Sequence, residues 1–207
     1  MSISENIQKM KSEIPEGITL VAVSKTKSVS DIEKAYNSGQ LIFGENKVQE
    51  LVEKHNKLPK NIQWHMIGHL QTNKVKFIAP FVTLIHGVDN LKILQEIDKR
   101  AVQNNRKIDC LLQVHIAKED TKFGFGIQEV TQVLFATSSF KNIRIVGLMG
   151  MATFTNDNNQ IKEEFKSLKT VFNSIKNDNI TTLSMGMSGD YPLAIEQGST
   201  MVRVGSA

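Results

Sequence analysis

One cysteine, four prolines, one tryptophan and two tyrosines are all that these residue types contribute to 207 residues. The lone Cys110 excludes an internal disulfide and fits a reducing cytoplasm. It lies in Ile108-Asp-Cys-Leu-Leu112, an apolar run that reads as a buried strand, so the thiol reads as a small core group. No apolar run is long enough to cross a bilayer. The first ten residues, Met1-Ser-Ile-Ser-Glu-Asn-Ile-Gln-Lys-Met10, lack the apolar stretch of a signal peptide. Aromatics are only 6% and the formal charge of +4 is spread among interspersed lysines and acidic residues. There is no basic arm and no RNA-stacking motif. Nucleic acid and membrane therefore drop out as partners. His55, His65, His69, His86 and His115 have no ligand spacing with acidic partners, so no metal is expected.

What is present is a regular alternation. Hydrophobic residues make up 40% and charged residues 22%, the balance of a globular protein, and the length suits a single domain over 1–207. Apolar runs at 19–23, 41–43, 62–67, 82–85, 108–116, 143–148, 181–184 and 201–204 read as strands. Between them lie helical stretches at about 29–38, 45–57, 90–104 and 127–138, and a short one ending near Pro80. Leu91, Leu94, Ile97 and Ala101 share one helix face; Ile161, Phe165, Leu168, Phe172 and Ile175 share another. Eight strands alternating with helices predict a (β/α)8 barrel, with a doubly wound open sheet as the alternative. The usual last helix has no counterpart after strand eight. The amphipathic segment 3–14, with Ile3, Ile7, Met10 and Ile14 on one side, is the candidate cover for that wall.

In a barrel the chemistry gathers at the carboxyl ends of the strands. The first strand, Thr19-Leu-Val-Ala-Val23, runs into Ser24-Lys25-Thr26-Lys27. A desolvated lysine at such a mouth has a lowered pKa and acts as a nucleophile toward a carbonyl. Met187-Ser-Gly-Asp190 after strand seven and Val204-Gly-Ser206 after strand eight offer hydroxyls and backbone amides where phosphate is often held in barrels. Because the barrel closes there, strand one lies beside strand eight, and the lysine faces whatever that cradle binds. A phosphorylated carbonyl compound is the natural ligand. Pyridoxal 5′-phosphate (PLP) fits, with Arg203 toward its ring nitrogen.

The chain resembles the pyridoxal-phosphate homeostasis proteins, single-domain relatives of the alanine racemase barrel. The likeness rests on Val21-Ala-Val-Ser-Lys-Thr-Lys27, Phe43-Gly-Glu-Asn-Lys-Val-Gln-Glu50, Trp64-His-Met-Ile-Gly-His-Leu-Gln71, Gly147-Leu-Met149, Leu183-Ser-Met-Gly-Met-Ser-Gly-Asp190 and Val202-Arg-Val-Gly-Ser206. It implies that Lys25 carries the cofactor as an internal aldimine and that Ser188, Gly189, Gly205 and Ser206 surround its phosphate. It further implies that Arg203 faces the pyridine nitrogen, that Asn46 and Met149 line the ring pocket and that His65 forms its floor. Lys27 and Lys122 match lysines to which the resemblance gives secondary roles in cofactor exchange. Two departures stand out. Relatives usually continue past this Gly-Ser-Ala with an Ile-Phe-Gly segment, whereas this chain ends at Ala207, naturally short or lacking its tail. His69 stands where many relatives have a smaller residue or proline, which alters the pocket rim.

An arginine at the ring nitrogen disfavours its protonation and weakens the ring as an electron sink. Racemases of this type also take an acid–base tyrosine from a second domain of a partner subunit. Here the only tyrosines are Tyr36, on a helix, and Tyr191, just after the Ser-Gly-Asp loop. The expectation is a cytoplasmic, monomeric PLP carrier rather than an enzyme, with apo-enzymes that use the cofactor as its recipients. It leaves room for weak racemase activity. A PLP-dependent amino-acid racemase is the alternative, and a sugar-phosphate enzyme with Lys25 as Schiff-base lysine a third reading.

Overall fold

A computed structural model describes residues 2–119 and 123–205. Eight parallel strands, β1 (Thr19–Val23), β2 (Ile42–Glu45), β3 (Gln63–Met66), β4 (Leu84–Val88), β5 (Ile108–Gln113), β6 (Ile143–Met149), β7 (Thr182–Met187) and β8 (Met201–Val204), close into a barrel in chain order. The closing seam pairs β1 with β8, Thr19 to Met201 through Ala22 to Val204. Eight helices accompany them: α1 (Ile3–Glu13), α2 (Val29–Asn37), α3 (Val48–Lys57), α4 (Val75–Ile78), α5 (Leu91–Gln103), α6 (Val130–Thr137), α7 (Asn158–Ile175) and α8 (Tyr191–Glu196).

The strands are short and β-branched or aromatic, and their outward faces pack under the helices. Phe43, Trp64, Met66, Ile85, Cys110 and Leu148 belong to the large outer core, together with Ile161, Phe165, Leu168 and Phe172 of α7. Burying side chains of this size stabilises a fold by about 1.5–3 kcal/mol each, before the entropy of ordering them is subtracted. On α5 the buried stripe is Ile93, Leu94, Ile97 and Ala101. Leu91, expected on that stripe, is 39% exposed, because the helix begins there and its first turn lies off the core.

The open wall at β8 is covered from the front of the chain: Met10 and Ile14 of the α1 segment are buried against Val202 and Val204, joined by Tyr191 and Ile195 of α8. Helix α8 had no counterpart in the sequence reading. It is only six residues long, with Pro192 in its first turn and Gly198 at φ +85° just beyond its end. Proline inside the start and glycine past the end is the helix signature that the sequence offered there. Strand β4 also runs on to Val88 rather than stopping at Ile85, and α3 starts at Val48 rather than at Glu45, which closes β2. Both differences move a functional side chain onto a strand.

Candidate functional site

The barrel interior holds two kinds of side chain. Val21, Leu84, Leu111, Met149 and Met201 form an apolar cluster. Beside it runs a polar column. Arg203 on β8 is 3% exposed. Its Nη1 donates to Ser184 Oγ (2.5 Å) and its Nη2 to the Gly150 carbonyl (3.1 Å). Ser184 Oγ lies 3.1 Å from His86 Nδ1, and His86 Nε2 lies 3.1 Å from His65 Nδ1. Burial pushes the His65 pKa down to about 3 and that of His86 well below its ordinary value, so both rings are neutral at pH 7. Ser184 Oγ accepts from Arg203 and shares one hydrogen bond with His86 Nδ1, and the two neutral rings share another between His86 Nε2 and His65 Nδ1, each ring carrying a single proton. Burial lowers the Arg203 pKa to about 10, which leaves it a cation at neutral pH. Both of its hydrogen-bond acceptors are neutral, so a buried guanidinium keeps donors to spare.

At the seam, Val21 pairs with Arg203 and Ala22 with Val204. Lys25 therefore stands beyond the end of β1, on the mouth side of the arginine. It is exposed and sits at the second position of a turn closed by Lys27 N–H to the Ser24 carbonyl (3.0 Å). The expected desolvated lysine is not what the fold presents, since the turn lifts the amine clear of the strand ends into water. The third turn residue, Thr26, has φ +64°, where a type II turn calls for glycine.

Beneath this turn is a buried charge cluster that the sequence reading missed. Lys54 Nζ donates to the Ser24 carbonyl (2.8 Å), to Glu45 Oε1 (2.6 Å) and to Glu50 Oε2 (3.2 Å). Ser24 Oγ donates to Glu45 Oε1 (2.7 Å), and Thr26 N–H donates to Glu50 Oε2 (3.0 Å). Burial pushes the Glu45 carboxyl up, against the lowering effect of Lys54 and Ser24. Backbone contacts lower that of Glu50, through Thr26 first.

The other expected residues fall as follows. Ser188 Oγ accepts from Gly205 N–H (3.1 Å), so the loops after β7 and β8 meet. Gly189 is exposed, with open space over its α-carbon. Asn46 follows β2, and its Oδ1 is buried without a partner. A side chain on Gly68 would come within 2.5 Å of the Asn46 carbonyl, so the third strand end needs glycine to approach this closely. Met149 ends β6 in the interior cluster, next to the Gly150 carbonyl that Arg203 binds. His65 lies deeper than the others. It is interior, but it reaches Arg203 only through His86 and Ser184, and it lines a cavity at the opposite end of the barrel with Thr19, Thr83 and Thr182. Lys27 lines a cavity of about 200 Å³ outside the barrel wall, between α1 and α2. Lys122 and Ser206 lie outside the described residues. His69 is on the rim, 2.7 Å from Asp89 Oδ2 and stacked on Phe123 with ring centroids 4.1 Å apart.

Neither tyrosine faces the mouth. Tyr36 donates to Asn61 Oδ1 (3.0 Å), and Tyr191 donates to Glu13 Oε2 (3.2 Å) while packing on the outside of β8. Among the described residues no group of three His, Cys, Asp or Glu side chains comes together to hold a metal, and no helix is long and apolar enough to cross a membrane.

The partnerless Asn46 oxygen and the buried Arg203 guanidinium, which uses only part of its donor set on Ser184 and Gly150, are what a planar, hydrogen-bonding ring would complete, so the residues present fit a pyridoxal group. Comparison with known proteins agrees. The family described as alanine racemase, N-terminal domain, matches residues 1–207. A Synechocystis protein named pyridoxal phosphate homeostasis protein is 39% identical over 198 residues, covering 93% of this chain and 91% of its own. PipY of Synechococcus elongatus PCC7942, 32% identical, superimposes with a TM-score of 0.94 when solved without PLP. With PLP bound its TM-score is 0.90, and the match covers 99% of this chain and 98% of PipY. Alanine racemase of E. faecalis, at 19% identity and a TM-score of 0.79, shares the fold, and the match covers 56% of that enzyme. The chain belongs to the pyridoxal phosphate homeostasis protein family, built on the alanine racemase N-terminal domain barrel.

Proposed function

We propose that this protein binds pyridoxal 5′-phosphate covalently through Lys25 and gives it up again without turning over a substrate. The observation that carries the reading is the seam: Arg203 sits deep on β8, Lys25 stands above it on β1, and the Ser188–Gly205 contact joins the two loops beside them. The cofactor supplies an aldehyde. Lys25 would hold it through its amine, in a linkage whose formation releases water and whose hydrolysis would return both partners. Arg203 Nη would donate to the pyridine nitrogen, and its charge keeps that nitrogen unprotonated. Asn46 Oδ1 and Met149 would flank the ring, with Ser188, Gly189 and Gly205 at the phosphate. The exposure of Lys25 suits a reversible carrier, because water can reach the bond that must be broken.

Both tyrosines are tied down on outer surfaces, which supports a carrier over a racemase that would use a tyrosine as its second acid–base group. The finer reading is a cytoplasmic monomer that passes cofactor to apo-enzymes. The test is the visible spectrum of the purified protein with added PLP, before and after borohydride, for wild type and Lys25→Ala. A band fixed by borohydride in the wild type and lost in the variant is the expected result. A colourless wild type overturns the reading. Solvent deuterium appearing rapidly at the α-carbon of an amino acid overturns the absence of turnover.

A further inference from the structure

We propose that Lys54, Glu50 and Glu45 are positioning residues for Lys25: they fix the main chain on both sides of it and so decide where its amine is delivered. The inference rests on the reading of Lys25 as the cofactor lysine. None of the three need touch the cofactor for it to hold.

The hydrogen bonds converge on the two peptide units that flank Lys25. On its amino side, the Ser24 carbonyl accepts from Lys54 Nζ (2.8 Å) and from Lys27 N–H (3.0 Å), and the Ser24 hydroxyl donates to Glu45 Oε1 (2.7 Å). On its carboxyl side, Thr26 N–H donates to Glu50 Oε2 (3.0 Å). Lys54 ties the two anchors to each other, with Nζ 2.6 Å from Glu45 and 3.2 Å from Glu50. All three protons of its ammonium group are used.

Three features separate this cluster from ordinary helix charge pairing. A Glu–Lys pair four apart is normally a solvated surface pair. Here the Lys54 side chain is 7% exposed and that of Glu45 is 0% exposed. Taking these charges out of water is costly unless they are well paired, and packed apolar side chains would have filled the space more cheaply. Second, the turn they hold places a β-branched threonine at φ +64°, a conformation that persists only when its surroundings over-determine it. Third, the bonds that over-determine it end on the atoms adjoining Lys25, while the lysine side chain itself stays free and exposed. Rigid main chain beneath a mobile amine confines the amine to a small volume. That is what bringing a nucleophile repeatedly to one carbonyl carbon requires.

The test compares Glu50→Ala and Glu50→Gln, each also combined with Lys25→Ala. Glu50 is the least buried member of the cluster, with a side chain 28% exposed, so its variants are the ones expected to fold; a melting curve checks that they do. Three quantities are read: the rate at which the visible band grows after PLP is added to apo-protein, the fraction fixed by borohydride on the Lys25 peptide, and the affinity for PLP by equilibrium dialysis in the Lys25→Ala background. Glu50→Ala should attach PLP about tenfold more slowly. Glu50→Gln, which keeps an acceptor for Thr26 N–H, should recover most of that rate. In the Lys25→Ala background, Glu50→Ala should leave the affinity for PLP unchanged. Attachment by Glu50→Ala at the wild-type rate overturns the proposal. So does an equal loss of affinity in the Lys25→Ala background, which would place the effect outside Lys25. A wild type that borohydride does not fix at Lys25 fails the cofactor reading instead, and that arm is read first.

Discussion

On the β1–β2 side of the barrel mouth, a lysine and two glutamates gather under the turn that carries Lys25, and charge meets charge. On the β4–β7–β8 side, Arg203 is equally buried, yet it is held by a hydroxyl and a carbonyl, with two neutral imidazoles behind them. The first arrangement is closed on itself but for Glu45 Oε2, which is buried without a hydrogen-bond partner. Each full charge has an opposite charge within 4 Å, so its field is largely spent locally and what it yields is rigidity. The second sets a positive charge against two neutral acceptors, with the Asp190 carboxylate acting on it through space, in a poorly screened place where an acceptor from outside still gains. One wall fixes geometry and the other offers a binding interaction.

Removing one partner is the harshest way to break that contrast. Lys54→Met leaves Glu45 buried with only the Ser24 hydroxyl to satisfy it, and should cost about 3–5 kcal/mol in urea unfolding. Replacing both, as Lys54→Met with Glu45→Leu, should recover much of that stability. Recovery would show that the pair serves position rather than stability; a double variant no better than the single one would count against that.

Acid separates the two walls more gently and in opposite senses. His65 and His86 are neutral in the fold and titrate near 6.5 when unfolded. Their contribution is present above pH 6.5 and drains away as pH falls toward their folded values. Between pH 7 and pH 5 His65 should withdraw about 2 kcal/mol. His65→Leu should flatten the pH dependence of unfolding by about that amount. Glu45 works the other way: its folded pKa is raised, so its contribution is full below the unfolded value of 4.5 and is lost as pH rises. Glu45→Gln should therefore steepen the loss on the acid side. Unfolding curves at pH 7 and 5 that run parallel for wild type and His65→Leu would mean that the imidazole column titrates elsewhere.

Strand periodicity made the barrel legible, and asking what ends a strand gave Lys25 and the loops of Ser188, Gly189, Gly205 and Ser206, whereas the roles of Asn46, Met149 and His65 came from the family resemblance. The polar column was half visible. Arg203 stood out as a charge inside an apolar strand, but His86 was lost because strand four was ended at Ile85. Carrying the alternation one step past Leu84 would have turned His86 inward with it. Ser184 lay in plain sight within an apolar run. The charge cluster was harder to see, because Glu50 and Lys54, four apart on α3, look like any solvated helix pair. Only the fold reveals that this face of α3 is pressed against the β1 turn. A left-handed threonine leaves no trace in composition, since glycine is the residue that advertises such a turn.

Thr26 gives the smallest effect and the finest cut between rigidity and stability. A β-branched residue at φ +64° carries strain on the order of 1–3 kcal/mol. Thr26→Gly removes it but adds freedom to the unfolded chain, which costs about 0.4–1 kcal/mol. The Thr26 N–H bond to Glu50 survives the change, because it comes from the backbone. Unfolding free energy should therefore rise, by about 1 kcal/mol at the middle of these ranges. Attachment of PLP should slow in the same variant, because glycine lets the turn leave the conformation that Glu50 and Lys54 hold. Stability and attachment moving in opposite directions is the outcome expected of a turn strained for position. If both fell together, the threonine would be holding the fold, and the two walls of the mouth would differ less than their charges suggest.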